Sequence, residues 1–208
     1  MDIQYFGANC IRISTKKATV VIDDNLAEVG LSAITKDGDV VLRTFGDDTA
    51  KKKPKIVIAG PGEFEVSDVS IKGVAARAHM DQEKEKTTTM YKLDIQDVRI
   101  AIVGHVFPDL HEDEVEEMGT IDVLIVPVGN SGYTLDGVGA AKVIRTLEPK
   151  LVIPTHYEDK AVKYEVPQQS LEEALKDLPF EKQEPVSKLK LKTTDIPEKV
   201  ELVVLERS

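Results

Sequence analysis

Short runs of Val, Ile and Leu, separated by turn residues, recur along the chain, and the clearest pattern lies in its second half. Two apolar runs, at 122–129 and 151–157, flank a segment at 137–147 in which apolar residues recur every three or four positions. This arrangement predicts a buried strand, a crossover helix and a second buried strand. Asp136 is placed to cap the helix, and Val138 is expected on its apolar face.

The rest of the chain reads mainly as strands. Residues 1–24 alternate between apolar and polar or small positions, which predicts a three-stranded meander. A helix is predicted over 168–178 after Pro167, with Ser170 as the weaker alternative cap, and a shorter one over 113–118. Further strands are predicted at 39–42, 56–58, 63–66, 69–76, 88–93, 98–103, 188–192 and 200–205. The strands at 88–93 and 98–103 are expected to form a hairpin around Gln96-Asp97. The order of elements, with strands first, a βαβ unit later and strands again at the end, predicts an α/β fold with mixed sheets. No linker divides residues 1–208, so one domain is expected.

Composition narrows the class of protein. Hydrophobic residues make up 41% of the 208 residues and aromatics only 5%, so the core must be mostly aliphatic. The net charge of -10 counts against a nucleic-acid partner. We expect no membrane segment, because no run reaches the roughly 18 apolar residues of a membrane helix. We expect no signal peptide, because residues 1–5 show no basic region followed by an apolar block. The single cysteine, Cys10, lies in a strand pattern; it favours a cytoplasmic protein and is expected to be a small buried hydrophobe.

Three of the four histidines stand at the ends of predicted strands. These are His79, His105 and His156, whereas His111 lies in an acidic stretch and is expected on the surface. Neutral imidazole is the commonest metal ligand in proteins. Carboxylates also follow predicted strands, at Asp23, Asp24, Asp47 and Asp48, and each could instead cap a turn. Because the chain has no paired histidines at helical spacing and no Cys-x-x-Cys, spacing alone leaves a metal site and ordinary core histidines both open.

Five segments, taken together, carry a resemblance to a known family. They are 3–7, 21–23, 60–66, 122–129 and 153–157, and they resemble the metallo-β-lactamase superfamily, within it the small proteins similar to L-ascorbate-6-phosphate lactonase. The resemblance implies an α/β fold of the four-layer αβ/βα sandwich type with two mixed β-sheets. It also implies a metal site along one edge, between the two sheets.

The hallmark of that superfamily is missing here. After the strand at 40–42, the superfamily places His-x-His-x-Asp-His, whose side chains bind one or two zinc ions, but this chain has Phe-Gly-Asp47-Asp48-Thr-Ala. His105 stands where the family has a bridging aspartate, while His79 and His156 match its ligand positions. The resemblance therefore implies, at most, a rebuilt site in which His79, His105, His156 and Asp47 are the metal ligands.

Two functions from different classes follow. The first is an atypical or inactive family member with a degenerate metal site, which acts as a binding or regulatory module for a small-molecule ligand and needs no metal. The second is a metal-dependent hydrolase of a small ester, lactone or phosphorylated sugar acid, with one divalent ion: zinc, or manganese or iron.

In the second reading Asp47, Asp48 and His105 are the catalytic groups: His105 is a ligand or proton shuttle, and Asp47 or Asp48 is a ligand or general base. A subunit of a larger assembly, including RNA processing, is a third reading, against which the acidic charge counts. The sequence does not specify an oligomeric state.

Overall fold

The computed structural model describes residues 1–46, 52–181 and 183–208. Two β-sheets and three α-helices form the fold of the described residues. The strands are β1 (Asp2–Gly7), β2 (Cys10–Ser14), β3 (Thr19–Ile22), β4 (Val40–Leu42), β5 (Ile56–Ile58), β6 (Gly62–Val66), β7 (Val69–Ala76), β8 (Thr88–Ile95), β9 (Val98–Ile102), β10 (Val123–Pro127), β11 (Leu151–Thr155), β12 (Leu189–Lys190) and β13 (Glu201–Leu202). The helices are α1 (Glu112–Met118), α2 (Gly137–Leu147) and α3 (Leu171–Ala174), and a 3₁₀ turn spans Thr193–Asp195.

Both sheets are mixed, as the sequence predicts. The first has the strand order β12-β1-β2-β3-β4-β5, with β3, β4 and β5 parallel to one another. The second has the order β13-β11-β10-β9-β8-β7-β6, with β9, β10, β11 and β13 parallel and β6 to β9 antiparallel. The α/β class with two mixed sheets is therefore confirmed.

Alternation along the strands builds two separate cores. In β10, Val123 and Ile125 belong to the core shared by the two sheets, whereas Leu124 and Val126 belong to the core between the second sheet and the helices. Successive side chains of a strand point to opposite faces, so a strand buried on both faces appears as a continuous apolar run. This is why the apolar runs of the second half contain no polar alternation.

The outer face of the first sheet is covered by a loop. Cys10 and Val21 point to this face and pack with Leu26, while Leu31 and Ile34 lie against the same cluster. Asp24 holds the loop in place, because one of its oxygens accepts hydrogen bonds from the backbone N–H groups of Ile34 and Thr35 and from the Thr35 hydroxyl. The prediction that Cys10 is a buried hydrophobe is confirmed.

Two local predictions, a helix cap and a hairpin turn, are confirmed. Asp136 caps α2, since its side chain accepts a hydrogen bond from the N–H of Gly139. Gln96 and Asp97 join β8 to β9 with φ values of 52° and 60°, the two positive angles that a tight type I′ hairpin turn requires. His111 is exposed, as predicted, and precedes α1.

Val138 does not lie on the buried face of α2. Its side chain is 59% exposed, whereas Gly137 and Gly139 are buried. A Cβ on Gly137 would lie 2.5 Å from the carbonyl oxygen of Ala174. The first turn of α2 therefore packs through Gly137 against α3, which turns Val138 to solvent.

The C-terminal elements are shorter than predicted. The helix expected over 168–178 is only α3, because the backbone before it is held by the chain around Gly129: the N–H of Gln169 donates to the carbonyl of Gly129 at 2.7 Å. Ser170, the weaker alternative, is the cap that forms. The closing strands β12 and β13 each pair for two residues at a sheet edge. No helix in the described ranges is long and apolar enough to cross a bilayer.

Candidate functional site

Three predicted site histidines lie at one edge of the second sheet. His156 directly follows β11, and His79 and His105 follow β7 and β9 by three residues each. Because β7, β9 and β11 run in the same direction, their carboxyl ends meet at one edge. The N–H of His79 donates to the carbonyl of His105 at 2.8 Å, which joins two of the three segments directly.

His105 and His156 face the same cleft. Their ring centroids are 5.5 Å apart in an edge-on arrangement, and Phe45 lies 5.6 Å from the His105 ring. Both histidines line a cavity of about 310 Å³ and a second one of about 190 Å³, and the two cavities also share Asn25 and Glu28. The ring of His79 instead packs beside Phe107 at 5.9 Å. The structure thus brings two of the three histidines to one ligand-sized space and holds the third beside them.

The first sheet contributes a carboxylate that is already hydrogen-bonded. Asp23 follows β3, and its two oxygens accept hydrogen bonds from the N–H of Thr44 at 2.7 Å and from the Thr44 hydroxyl at 2.6 Å. Burial is the largest influence on its pKa and raises it to about 6, although the Thr44 hydrogen bonds and the Arg43 charge oppose the shift. Asp23 therefore braces the segment after β4 and is protonated much more readily than an ordinary aspartate.

Thr44 connects the two sheets at the base of the cleft. Its carbonyl accepts hydrogen bonds from the Thr89 N–H and the Thr88 hydroxyl of β8, each at 2.8 Å. Gly104 approaches the same residue: its φ is +54°, and a Cβ there would lie 2.3 Å from the Thr44 hydroxyl oxygen. Only glycine fits at this contact, which sets the position of the adjacent His105.

His156 has an unusual backbone conformation. Its φ of +56° places it in the left-handed region, which β-strand residues avoid, and its N–H donates to the carbonyl of Ala8 at 2.8 Å. Its Nδ1 lies 3.2 Å from Oε1 of Gln168, and its ring lies 5.0 Å from that of Tyr164. Strained conformations of this kind persist where surrounding contacts impose them and are enriched at functional sites.

The histidines of the cleft are neutral at ordinary pH. Burial lowers the pKa of His105 to about 3, with a further decrease from the nearby imidazoles of His156 and His79. Burial lowers the pKa of His156 to about 4, and the pKa of His79 is also lowered by burial. Neutral imidazole can accept a proton, accept a hydrogen bond or bind a metal.

Several polar atoms around the cleft have no hydrogen-bond partner among the described residues. They are Nδ1 of His79, Nδ1 of His105, Nδ2 of Asn9 and Oδ1 of Asn25. Asn9 is only 5% exposed and its Oδ1 accepts from the Thr155 hydroxyl, so its amide is held against the cavity wall. Since buried polar groups are normally hydrogen-bonded, these atoms indicate a place where a polar ligand would supply the missing partners.

The described residues do not build a metal cage. Among them, no group of three or more His, Cys, Asp or Glu side chains is placed to hold an ion. Neutral imidazoles with open ring nitrogens suit a metal, but each oxygen of Asp23, the buried carboxylate of the cleft, already accepts one hydrogen bond from Thr44, which leaves one lone pair on each. Asp47 and Asp48, predicted as a ligand and as catalytic groups, lie outside the described residues. The donor set that the structure describes does not fit the metal centre that the resemblance implies.

Comparison with known proteins decides the family. Residues 2–156 match the family described as the beta-lactamase superfamily domain, which is well over half of the chain. The chain belongs to the β-lactamase superfamily. A protein of Lysinibacillus sphaericus (strain C3-41), named UPF0173 metal-dependent hydrolase, is 26% identical over 198 residues, covering 76% of this chain and 85% of the relative.

Two solved structures place the superfamily fold on nearly the whole chain. One, from Thermotoga maritima, is a proposed Zn-dependent hydrolase of the metallo-β-lactamase superfamily; it is 28% identical, with a TM-score of 0.77 over 99% of this chain and 98% of that one. The other, from Parabacteroides distasonis ATCC 8503, is a proposed metal-dependent hydrolase that is 18% identical, with a TM-score of 0.62 over 98% and 93%. The second likeness shows the fold alone.

Sequence reasoning missed several residues of the cleft. Asn9 reads as part of a turn, and Arg43, Thr44, Tyr164 and Gln168 belong to no motif, yet all of them line the two cavities. Asn9, Arg43 and Thr44 carry only the signal of a polar residue near a strand end, and Tyr164 and Gln168 lie in the long connection after β11 and carry none. Their convergence depends on how the loops fold back over the sheet edges, which no local pattern encodes.

Proposed function

We propose that this protein is a β-lactamase superfamily member with a degenerate metal site, whose cleft binds a small polar molecule without the histidine-rich metal centre. The observation that carries the proposal is the pairing of His105 and His156 in a ligand-sized cleft whose described residues contain no three-ligand group. The absence of any histidine between residues 40 and 78 supports it. The unsatisfied amide of Asn9 and the neutral imidazoles provide hydrogen-bonding groups for such a molecule.

Metal analysis tests this proposal. Protein produced in medium supplemented with zinc, manganese and iron is expected to carry none of them in stoichiometric amount, because at least three protein ligands are normal for a tightly held catalytic ion. The matched variants are His156→Ala, at the cleft, and His111→Ala, at the exposed histidine. Stoichiometric metal that is lost in His156→Ala and retained in His111→Ala would overturn the proposal.

Ligand binding is tested by thermal stabilisation with lactones, sugar acids and sugar phosphates, each with chelator present. A ligand at about 100 times its dissociation constant stabilises the native state by about 2.7 kcal/mol. We expect stabilisation of the wild-type protein and of His111→Gln, and its loss in His105→Gln. Stabilisation that survives His105→Gln, or none by any compound, would count against a ligand site at this cleft.

A metal-dependent hydrolase is the second candidate, and the relatives named as such favour it. In this case His79 and His156 would hold one divalent ion, His105 would be a ligand or proton shuttle, and Asp47 or Asp48 would complete the site. The substrate would be a small ester, lactone or phosphorylated sugar acid. Hydrolysis of any of these that disappears with chelator, together with stoichiometric metal, would establish this candidate in place of the first.

The remaining sequence-based expectations stay predictions. They are one domain over residues 1–208, a cytoplasmic location, and a small molecule as the partner in preference to nucleic acid or membrane. Size-exclusion chromatography with mass measurement tests the third alternative, that the protein is a subunit of a larger assembly. A clean monomer would count against that alternative.

A further inference from the structure

We propose that Gln168 is a positioning residue that fixes His156 in the tautomer carrying its proton on Nδ1. The unprotonated Nε2 is then the atom that His156 offers to an occupant of the cleft. This inference rests on the cleft being the functional site, as proposed above, and it specifies the hydrogen-bonding character of one wall.

The orientation of the Gln168 amide follows from its second contact. Nε2 of Gln168 lies 2.9 Å from the carbonyl oxygen of Val166. A backbone carbonyl only accepts hydrogen bonds, so the atom facing it must be the NH₂ group. The opposite amide orientation would bring two oxygens together and is excluded. The amide oxygen of Gln168 is therefore the atom directed at His156.

The tautomer of His156 follows in turn. Oε1 of Gln168 lies 3.2 Å from Nδ1 of His156, and an amide oxygen can only accept. Nδ1 must supply the proton of this hydrogen bond. In a neutral imidazole only one nitrogen is protonated, so Nε2 carries the lone pair.

Close packing at Gly129 and neighbouring backbone hydrogen bonds hold Gln168 against His156. A Cβ on Gly129 would lie 2.0 Å from the His156 carbonyl oxygen and 2.3 Å from Oε1 of Gln168, so glycine is what allows the two to meet. The residue that follows Gln168 is fixed through both of its backbone groups: the N–H of Gln169 donates to the carbonyl of Gly129 at 2.7 Å, and the carbonyl of Gln169 accepts from the N–H of Glu158 at 2.9 Å.

The consequence is a defined polarity for the cleft. His156 presents a lone pair, which accepts a hydrogen bond from a hydroxyl group or binds a cation, and it does not donate. A second partner that orients the ring and fixes the tautomer is the usual device by which proteins prepare a histidine for binding. Gln168 thus acts through His156 and needs no contact with the ligand.

Nitrogen NMR on protein with ¹⁵N-labelled histidine tests the tautomer directly. Spectra are recorded with chelator and no ligand, about two pH units above the ordinary histidine pKa of about 6.5. The His156 signals are assigned by their loss in His156→Asn. The expected pattern is a protonated Nδ1 and an unprotonated Nε2, the reverse of the preference of free histidine in water. A protonated Nε2 in the wild-type protein would overturn the proposal.

Two variants separate the role of Gln168 from a general structural one. Gln168→Leu removes the acceptor and is expected to shift His156 toward Nε2–H. Gln169→Leu makes the same change one residue away and should leave the tautomer unaltered. An unchanged tautomer in Gln168→Leu, with native circular dichroism, would refute the assignment. Because no metal or ligand is involved, this outcome is independent of the binding and metal measurements above.

Discussion

The two sheets contribute opposite kinds of polar groups to the cleft. On the side of the first sheet, the carboxylate of Asp23 is buried and both its oxygens are hydrogen-bonded to Thr44. On the side of the second sheet, the imidazoles of His79 and His105 each keep a ring nitrogen without a partner among the described residues. The hydrogen-bonded carboxylate joins the ends of β3 and β4, whereas the two imidazoles keep hydrogen-bonding capacity that the described residues do not use.

This difference separates groups that stabilise the fold from groups whose hydrogen-bonding capacity is unused. The brace of Asp23 and Thr44 joins strand ends of the first sheet, and Thr44 also bonds to β8 of the second. Its stability comes from hydrogen bonds within the chain. The histidines take no part in these hydrogen bonds, so Asp23 and the histidines are expected to respond differently to pH and to substitution.

The largest expected effect is acid destabilisation through the histidine side. The pKa values of His105 and His156 are lowered to about 3 and about 4, below the ordinary 6.5. Their contribution to stability is therefore present above pH 6.5 and is lost as the pH falls toward 4. Each histidine costs about 1.4 kcal/mol per pH unit in that window, several kcal/mol in total.

Urea unfolding between pH 7 and pH 4 measures this effect. His105→Gln should remove one histidine's share of the slope, and His111→Gln, at the exposed position, should not change it. Equal slopes in all three proteins would mean that the imidazoles of the cleft do not differ from surface ones.

The second-largest effect on stability is expected where Gly104 approaches Thr44. Gly104→Ala would place a Cβ 2.3 Å from the Thr44 hydroxyl, at a residue with φ of +54°. We expect a loss of about 3 kcal/mol in the free energy of unfolding from overpacking and strain. Gly38→Ala is the control, because its φ is +87° but nothing lies within 4 Å of the added Cβ; about 1 kcal/mol is expected there. Similar losses at both positions would argue against a tight contact at Gly104.

The contribution of Asp23 to stability is expected to change with pH in the opposite direction. The pKa of Asp23 is raised to about 6, so its contribution is fully present below its ordinary pKa of 3.8 and is lost as the pH rises through 6. Asp23→Asn should become more stable relative to wild type by about 2 kcal/mol as the pH rises from 4 to 7. Comparison of the two unfolding curves across this range measures it, and a constant difference would contradict the raised pKa.

The smallest effect is expected from removing one hydrogen bond of the brace. Thr44→Val loses the hydroxyl that donates to Asp23 and should cost about 1.5 kcal/mol, a typical value for a bond to a charged group. Thr35→Val removes the equivalent bond to Asp24 in the outer loop and should cost about as much. Only Thr44→Val should also alter the NMR signals of His105, through Gly104. A His105 change in both variants would show that the brace is not specific to the cleft.

Much of the fold follows from local pattern. Alternation along 1–24 and the apolar runs around 122–129 and 151–157 specify strands, because side-chain period and burial on two faces leave a direct trace in the sequence. Asp136 and the Gln96–Asp97 turn are local hydrogen-bond and backbone signals, and both are confirmed. The pattern placed the histidines at 79, 105 and 156 at the ends of predicted strands, and only the family resemblance implied a site along one edge.

The predictions that were wrong concern positions that tertiary contacts decide. Val138 has the apolar character of a core residue, but close packing of Gly137 against α3 turns it outward. The helix expected from 168 is cut to α3 because the preceding backbone bonds to Gly129. The sequence by itself determined the strands, the principal helix cap and the strand-end positions of three histidines. The pairing of Asp23 with Thr44 and of Gln168 with His156, across 21 and 12 residues of chain, was decided only by the tertiary structure, because a hydrogen bond between distant segments depends on loop paths that no short-range pattern records.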